Sequence, residues 1–429
     1  MIGNHLNKDF ILKSSAMAST NFIQFASISI ILVAISNHSG HEQAAAYGVV
    51  LSLYSLLLML PIGLMIWQIS SFIPALIAFR KSQGEIKEKK LSEVFLLNRT
   101  FKKYNIFVSL GMLSIWILIS ILTLGFDLLP SYGVLLSILP GIIVSPFGYY
   151  YQGKLQTAQH EKEILKGALV AALFNIILVY AYLIFFKTDS IHVDLTFIGA
   201  SQSLSGILLV LFLAKKARTL SSEFLEMGNS KISNKIDLSI LVKIISGSVD
   251  GIILSAIFSI SIIIASHNSP LDGFIISLVV SIMRMIVIPS KQFGLVGGRM
   301  HATGQLDSIA TIIVSSFLSI STIALLVLPA YLSVSSTQIP VFILLLMLIQ
   351  IALEPASGVM YGFIKVRYGP TKGIFSLIFS YIFMGLPLLL TSYMMNFSSA
   401  EFIWGILFSI RIIFTILVIR SVIVLKAGS

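Results

Sequence analysis

Apolar runs of about 20 residues, separated by short polar joints, repeat from residue 10 to the C-terminus, and a helix of that length crosses the roughly 30 Å hydrocarbon core of a bilayer. The pattern predicts twelve spans, at approximately 10–36, 46–79, 104–124, 132–151, 167–186, 196–214, 240–266, 273–297, 308–331, 340–363, 374–394 and 401–425. The polar start MIGNHLNKDF leads straight into a full-length first span, without the short apolar core and cleavage site of a secretory signal, so that span is expected to remain as an anchor.

Composition supports this reading. The chain is 56% hydrophobic and only 11% charged, with a mean hydropathy of +0.96. A backbone in lipid must satisfy its own hydrogen bonds, and helices of this length do so within one segment. The expected class is an all-α integral membrane protein. A polar joint at 215–239, KKARTLSSEFLEMGNSKISNKIDLS, separates six spans (1–214) from six more (240–429) and has a linker's composition. The halves echo one another weakly. AYGVVLSL at 46–53 parallels LDGFIISL at 271–278, each with a serine four residues after its glycine. YQGK, with the Lys-Gly pair at 166–167, parallels MYGFIK with the pair at 372–373. An even number of spans per half gives both the same orientation, so the expectation is two six-helix bundles related by a parallel repeat about a central cleft. A duplicated helical scaffold without transport is the plainer alternative.

The net charge of +11 changes the picture only through its placement. Most of the 29 Lys and Arg residues cluster in joints after even-numbered spans and in the linker, whereas Lys187 falls on the opposite side. By the positive-inside rule both termini are expected in the cytoplasm, in an inner (plasma) membrane protein, and the basic loops need no nucleic-acid partner. Zero cysteines exclude disulfides and thiolate metal sites, and the seven histidines all lie at joints or ends, against a midplane relay or zinc cluster. No G-x-x-x-x-G-K-[ST] run and no G-x-S-x-G elbow occurs, so neither an ATPase nor an enzyme is expected. GLVGG at 294–298 and GVMYG at 358–362 read as helix-packing glycines.

Away from the interfaces the ionisable residues within the spans are Asp250, Glu354, Arg284, Lys291, Lys13 and Arg411. Such groups cost roughly 2.5–3.5 kcal/mol each on insertion scales, and they usually face a bundle interior or water. Glu354 shares a helical face with Gln350, Ser357 or Gly358, and Tyr361, and Pro355 beside it is expected to bend the helix and free carbonyls one turn earlier. Carboxylate, amide and carbonyl oxygens are the ligands that hold Na⁺ or exchange a proton. The competing reading is a glutamate paired simply with an intramembrane arginine or lysine. Asp250 lies near the midplane, with Ser246 one turn before it and Gly251 permitting close packing, at a depth that Gln350, Glu354 and Arg284 can share. That set forms either a cation site with its own counter-charge or a static ion-pair network. In the first span Ser14, Thr20, Asn21, Gln24 and Ser27 offer neutral polar groups, either as a hydrogen-bonding wall for a substrate or as glue between helices.

Several strings resemble the multidrug and toxic compound extrusion (MATE) transporters of the multidrug/oligosaccharidyl-lipid/polysaccharide (MOP) flippase superfamily. AYGVVLSLYSLLLMLPIGL is similar to the family's second span, and YYYQGKLQTAQ followed by ALFNIILVY, with Asn175, to its fourth and fifth. QIALEPASGVMYGFIK and YIFMGLPLLL, with Gly358, Gly362 and Pro387, resemble its tenth and eleventh. The resemblance implies a secondary antiporter that exports an amphipathic organic solute or drug, as a monomer, in exchange for Na⁺ or H⁺ and without another cofactor. It places the coupling cation at an acid in the seventh span, matched by Asp250, and at one in the tenth, where the corresponding position is Gln350 and Glu354 follows one turn later. Asn21, Gln24, Ser27, Arg284 and Tyr361 are the expected substrate-cavity residues. No acid occurs in the middle of the first span, where other members carry a proton-coupling aspartate, and Arg284 departs from the family pattern. A flippase for lipid-linked oligosaccharide is the alternative, hinted at by Arg284 and Lys291. An integral-membrane transferase is a remoter one.

Overall fold

The computed structural model describes residues 8–81, 83–125, 133–158, 160–188, 190–221, 238–302, 306, 308–334, 339–368 and 372–427. The described residues form helices joined by short connections, and no strand occurs among them. Twelve helical stretches are long and apolar enough to cross a membrane: Phe10–Ser39, His41–Ile69, Glu88–Leu122, Gly133–Thr157, Glu161–Phe185, Ile191–Arg218, Ile240–Asn268, Pro270–His301, Ile309–Pro329, Val341–Tyr368, Ile374–Met394 and Ala400–Leu425. They correspond one to one with the spans expected from the apolar pattern. Large apolar side chains such as Leu118, Ile121, Leu325, Leu326 and Phe383 stand exposed, as a lipid solvent allows.

The ends depart from the expected limits where a polar sequence has high helix propensity. The third helix begins at Gly84, so the basic stretch before residue 104 is helix and not a loop. It is rich in Lys, Glu and Leu, and Lys90 pairs with Glu93 one turn away at 2.8 Å. The fourth span is interrupted between its pieces Gly133–Ser137 and Leu139–Thr157, just before Pro140. Backbone groups there are taken by side chains: the Trp116 indole N–H donates to Leu135 O at 2.9 Å, and the Ser203 hydroxyl donates to Ser137 O at 2.7 Å while accepting from Gly141 N–H at 3.2 Å. The linker expected at 215–239 falls mostly on 222–237, outside the described residues.

The chain divides into two compact units, one of Met1–Leu53, Val179–Lys187 and Ile253–Ser429, the other of Tyr54–Leu178 and Thr188–Ile252. In the first unit the eighth span is the hub. The first span packs along it, with Phe10 edge-on to Phe293 at 5.9 Å. On the tenth-span side, a Cβ added at Gly294 would sit 2.1 Å from Val359 O and one at Gly298 3.2 Å from Phe363 O, so backbone lies on backbone there. Gly48 of the second span approaches Ser277 just as closely. These are residues of the two weakly echoing strings, now in contact. The glycines of GLVGG therefore serve helix packing, as expected.

In the second unit a polar cluster ties the fifth span to the sixth. The Asn175 amide donates to Gln202 Oε1 at 2.6 Å and accepts from the Ser201 hydroxyl at 2.7 Å, while Ser205 donates to Ala171 O at 2.9 Å. Asp250 belongs to this unit and is half-buried. Gly251 beside it meets Met59, and Gly247 meets the backbone of Gly63, so the seventh span packs closely on the second at this depth.

Replacing Gly294 by leucine forces apart two backbones with no flexible neighbour to yield, which should cost at least the roughly 1–3 kcal/mol typical of overpacking. Gly405→Ala, at a position with open space, should be neutral or slightly stabilising. Thermal unfolding of detergent-purified variants checks both. Equal midpoints for the two would contradict the packing described.

Candidate functional site

The tenth span is not one continuous helix. It runs as Val341–Leu353, tightens to a 3₁₀ turn at Glu354–Ala356 and resumes at Gly358–Tyr368. Pro355 is the cause, because it has no N–H to offer the Ile351 carbonyl. Glu354 N–H turns back to that carbonyl instead, and Ser357 N–H is shared between Leu353 O at 3.2 Å and Glu354 O at 3.1 Å. At Pro355 the helix is interrupted by this 3₁₀ turn, and the Ile351 carbonyl that the proline frees is retaken at once by the backbone.

The turn projects Glu354 into the first unit, where its side chain is fully buried. Oε2 accepts from Nη2 of Arg411, in the twelfth span, in a short ion pair, and from the Ser357 hydroxyl at 3.3 Å. Oε1 occupies the space that Gly358 leaves open: a Cβ there would lie 1.8 Å from it. Arg411 is equally enclosed. Nη1 donates to the Tyr381 hydroxyl at 3.3 Å, and the guanidinium lies over the Phe414 ring at 5.1 Å. Tyr361 and Tyr381 both meet Phe414 edge-on, at 5.4 and 5.7 Å. Tyr381 reaches the guanidinium from a π-helical stretch, Ile378–Gly385, and Gly385 lets the eleventh span lie close against Ile410. Two adjacent backbone defects thus aim a carboxylate and a phenol at one guanidinium.

Energetically the pair is neutral as a unit and costly to halve. Removing one partner of a buried pair typically costs about 3–5 kcal/mol, because the other charge is left without water. A further monovalent cation about 4 Å from the guanidinium would be repelled by about 4 kcal/mol at an effective dielectric constant of about 20. Among the described residues, Glu354 Oε1, Gln350 Oε1 and Arg411 Nε make no hydrogen bond. No cluster of three or more His, Cys, Asp or Glu side chains suited to a metal ion occurs among them.

The other expected site residues fall as follows. Gln350 is buried one turn before Glu354. Tyr361 is buried on Phe414 and forms part of the aromatic setting of the guanidinium. Arg284 places its guanidinium over Phe258 of the seventh span at 5.3 Å. Asn21 and Gln24 are half-buried on the first span, and the Ser14 and Ser27 hydroxyls are buried without a hydrogen bond among the described residues. Glu354, Gln350, Tyr361, Arg284 and the first-span residues belong to one unit and Asp250 to the other. Sequence reasoning held a glutamate paired with an intramembrane arginine or lysine as its competing reading and named Arg411 as an intramembrane charge, and the structure joins these two residues. The sequence held only part of the signal: Glu354 needs a cation and Arg411 stands alone in the middle of the twelfth span, but which of the intramembrane cations meets it is set by helix packing.

Structural comparison places this arrangement among known folds. An outward-facing MATE-family multidrug resistance transporter of the MOP superfamily aligns over 98% of this chain and 96% of its own, with a TM-score of 0.70 and 14% identity. The same family's inward-facing conformation aligns over 93% and 92%, with a TM-score of 0.64 and 14% identity. A MOP superfamily transporter from Pyrococcus furiosus Vc1, described as having a binding pocket of reverse polarity, aligns over 98% and 96%, with a TM-score of 0.69 and 14% identity. The chain has the MOP transporter fold. No protein-family model matches the sequence, and no curated protein matches it. Within the MOP fold, this chain's tenth-span carboxylate has an arginine of its own twelfth span as partner.

Gly358→Ala tests the geometry of the turn. Its methyl group meets Glu354 Oε1 and approaches Arg411 Nη2 to 3.1 Å, so the variant should lose about 1–3 kcal/mol of stability, although alanine is the better helix former. A thermal midpoint at or above that of the parent protein would show that the carboxylate lies elsewhere.

Proposed function

We propose that the protein is a secondary active transporter that exports an amphipathic organic solute by alternating access, in exchange for Na⁺ or H⁺. The observation that carries this reading is a fully buried carboxylate at a broken helix, in a chain with the MOP fold. Interrupted spans with ionisable groups at membrane depth are characteristic of transport sites, where a bound ion must stabilise one arrangement more than another. Asp250 and Glu354 are the acids assigned to that coupling, and Gln350 belongs with Glu354. Asn21, Gln24, Ser27, Arg284 and Tyr361 are assigned to solute contact. The protein works without a catalytic step or resident cofactor, as a monomer in the inner membrane with both termini in the cytoplasm.

One observation favours a second reading, a flippase for an anionic lipid-linked oligosaccharide. Away from the span ends lie four cations (Lys13, Arg284, Lys291, Arg411) and two acids (Asp250, Glu354). Arg411 is engaged by Glu354, and the excess of basic over acidic residues at membrane depth suits an anionic cargo better than a cationic drug.

Proteoliposomes under imposed Na⁺ and pH gradients test the first reading. Organic-cation efflux driven by either gradient is expected, with at least a tenfold loss in Asp250→Asn and in Glu354→Gln. Undiminished transport in both variants removes the coupling assignment, and gradient-independent translocation of a lipid-linked sugar in its place establishes the second reading.

A further inference from the structure

We propose that Arg411 is a tethered counter-cation: its guanidinium fills the position that an exchangeable Na⁺ would take at Glu354, so this carboxylate is closed to Na⁺. The inference narrows the role of Glu354 within the transporter reading, but its evidence and its test concern ion binding alone.

The contacts around the pair carry it. The carboxylate oxygen Oε2 is already shared by the Arg411 guanidinium and the Ser357 hydroxyl. The guanidinium is held by groups that give it direction without cancelling its charge, namely the Tyr381 hydroxyl and the Phe414 ring. Thr415 caps the same turn, its hydroxyl donating to Arg411 O at 2.8 Å. The remaining oxygen, Oε1, sits against Gly358, 1.8 Å from where any Cβ would stand, and Arg411 Nη2 lies 3.1 Å from the same point. A hard cation needs several oxygen ligands in its shell. Here one oxygen is left on the carboxylate, and the nearest backbone carbonyl released by Pro355, that of Ile351, is bonded to Glu354 N–H. An added cation would therefore meet a positive charge, with only Glu354 Oε1 and the Gln350 amide oxygen left without a hydrogen bond to receive it.

The consequence concerns specificity. A tenth-span carboxylate elsewhere in such a fold can be an ion ligand only if its charge is available, and in this chain an arginine from the twelfth span has taken it. If Na⁺ drives this transporter, it binds away from Glu354.

Na⁺ itself is the probe. Thermal unfolding of the purified full chain is followed as NaCl replaces choline chloride at constant ionic strength and pH. For the parent protein, no Na⁺-specific shift that depends on Glu354 is expected. Arg411→Gln should unfold several degrees lower and regain part of that loss as Na⁺ is added, because an exchangeable cation can now reach the carboxylate. Arg411→Lys, which keeps a cation in place, should stay insensitive to Na⁺. A parent-protein Na⁺ shift that disappears in Glu354→Gln overturns the proposal, and so does an equal Na⁺ response in Arg411→Gln and Arg411→Lys. If Arg411→Gln does not fold, the comparison of the parent protein with Glu354→Gln and Arg411→Lys still decides. A Na⁺ shift that survives Glu354→Gln and is lost in Asp250→Asn supports the proposal by placing Na⁺ elsewhere. None of these readouts requires transport, so the inference can fail while the transporter reading stands.

Discussion

A charge removed from water must be answered by another charge, and around the tenth span this requirement organises much of the structure. Glu354 and Arg411 are separated by 57 residues in sequence, yet each is almost wholly enclosed and each is the other's partner. The requirement extends outward. Around the guanidinium the tenth span breaks at Pro355, the eleventh has a π-helical stretch that presents Tyr381, and the twelfth lies close enough for Gly385 to meet Ile410. Helix defects are usually costly in a membrane, since freed backbone groups find no water. Here each defect is repaired locally, as when Glu354 N–H recovers the Ile351 carbonyl.

The eighth span gives the same region its rigidity by a different means. Two glycines four residues apart, Gly294 and Gly298, let its backbone lie directly on the tenth span just after the break. Without a hydrophobic driving force between helices in lipid, such close approach is a main source of association. The C-terminal half of the tenth span is thus fixed to the eighth, while the charge at its break is fixed to the twelfth. A transporter needs rigid bodies that move against one another and an ionisable group whose state biases the movement. The ion pair and the glycine contacts supply the first of these within one unit, and Glu354 is a candidate for the second.

Much of this was legible in the amino-acid pattern, and the misses have physical causes. Span number and type follow from hydropathy alone because bilayer thickness sets a length that few other constraints disturb. The helical run before residue 104 was hidden because its charges resemble a loop, although Lys90 and Glu93 at one-turn spacing favour helix. The break at Pro355 could be read from one residue, since a missing N–H is a local fact. The Glu354–Arg411 contact could not, because pairing across 57 residues depends on how the eleventh and twelfth spans pack, and hydropathy carries no record of that. Tyr361 packs edge-on against Phe414, the ring that also carries the Arg411 guanidinium, a neighbourhood that no helical-face argument reveals.

The central claim is that Glu354 and Arg411 tolerate the membrane interior only as a pair. A double-mutant cycle of unfolding free energy in bicelles, with Glu354→Gln, Arg411→Gln and the two combined, measures it most directly. The account predicts that the combined variant is more stable than either single one, with an interaction energy of about 3 kcal/mol. Single effects that add to within about 0.5 kcal/mol would contradict it.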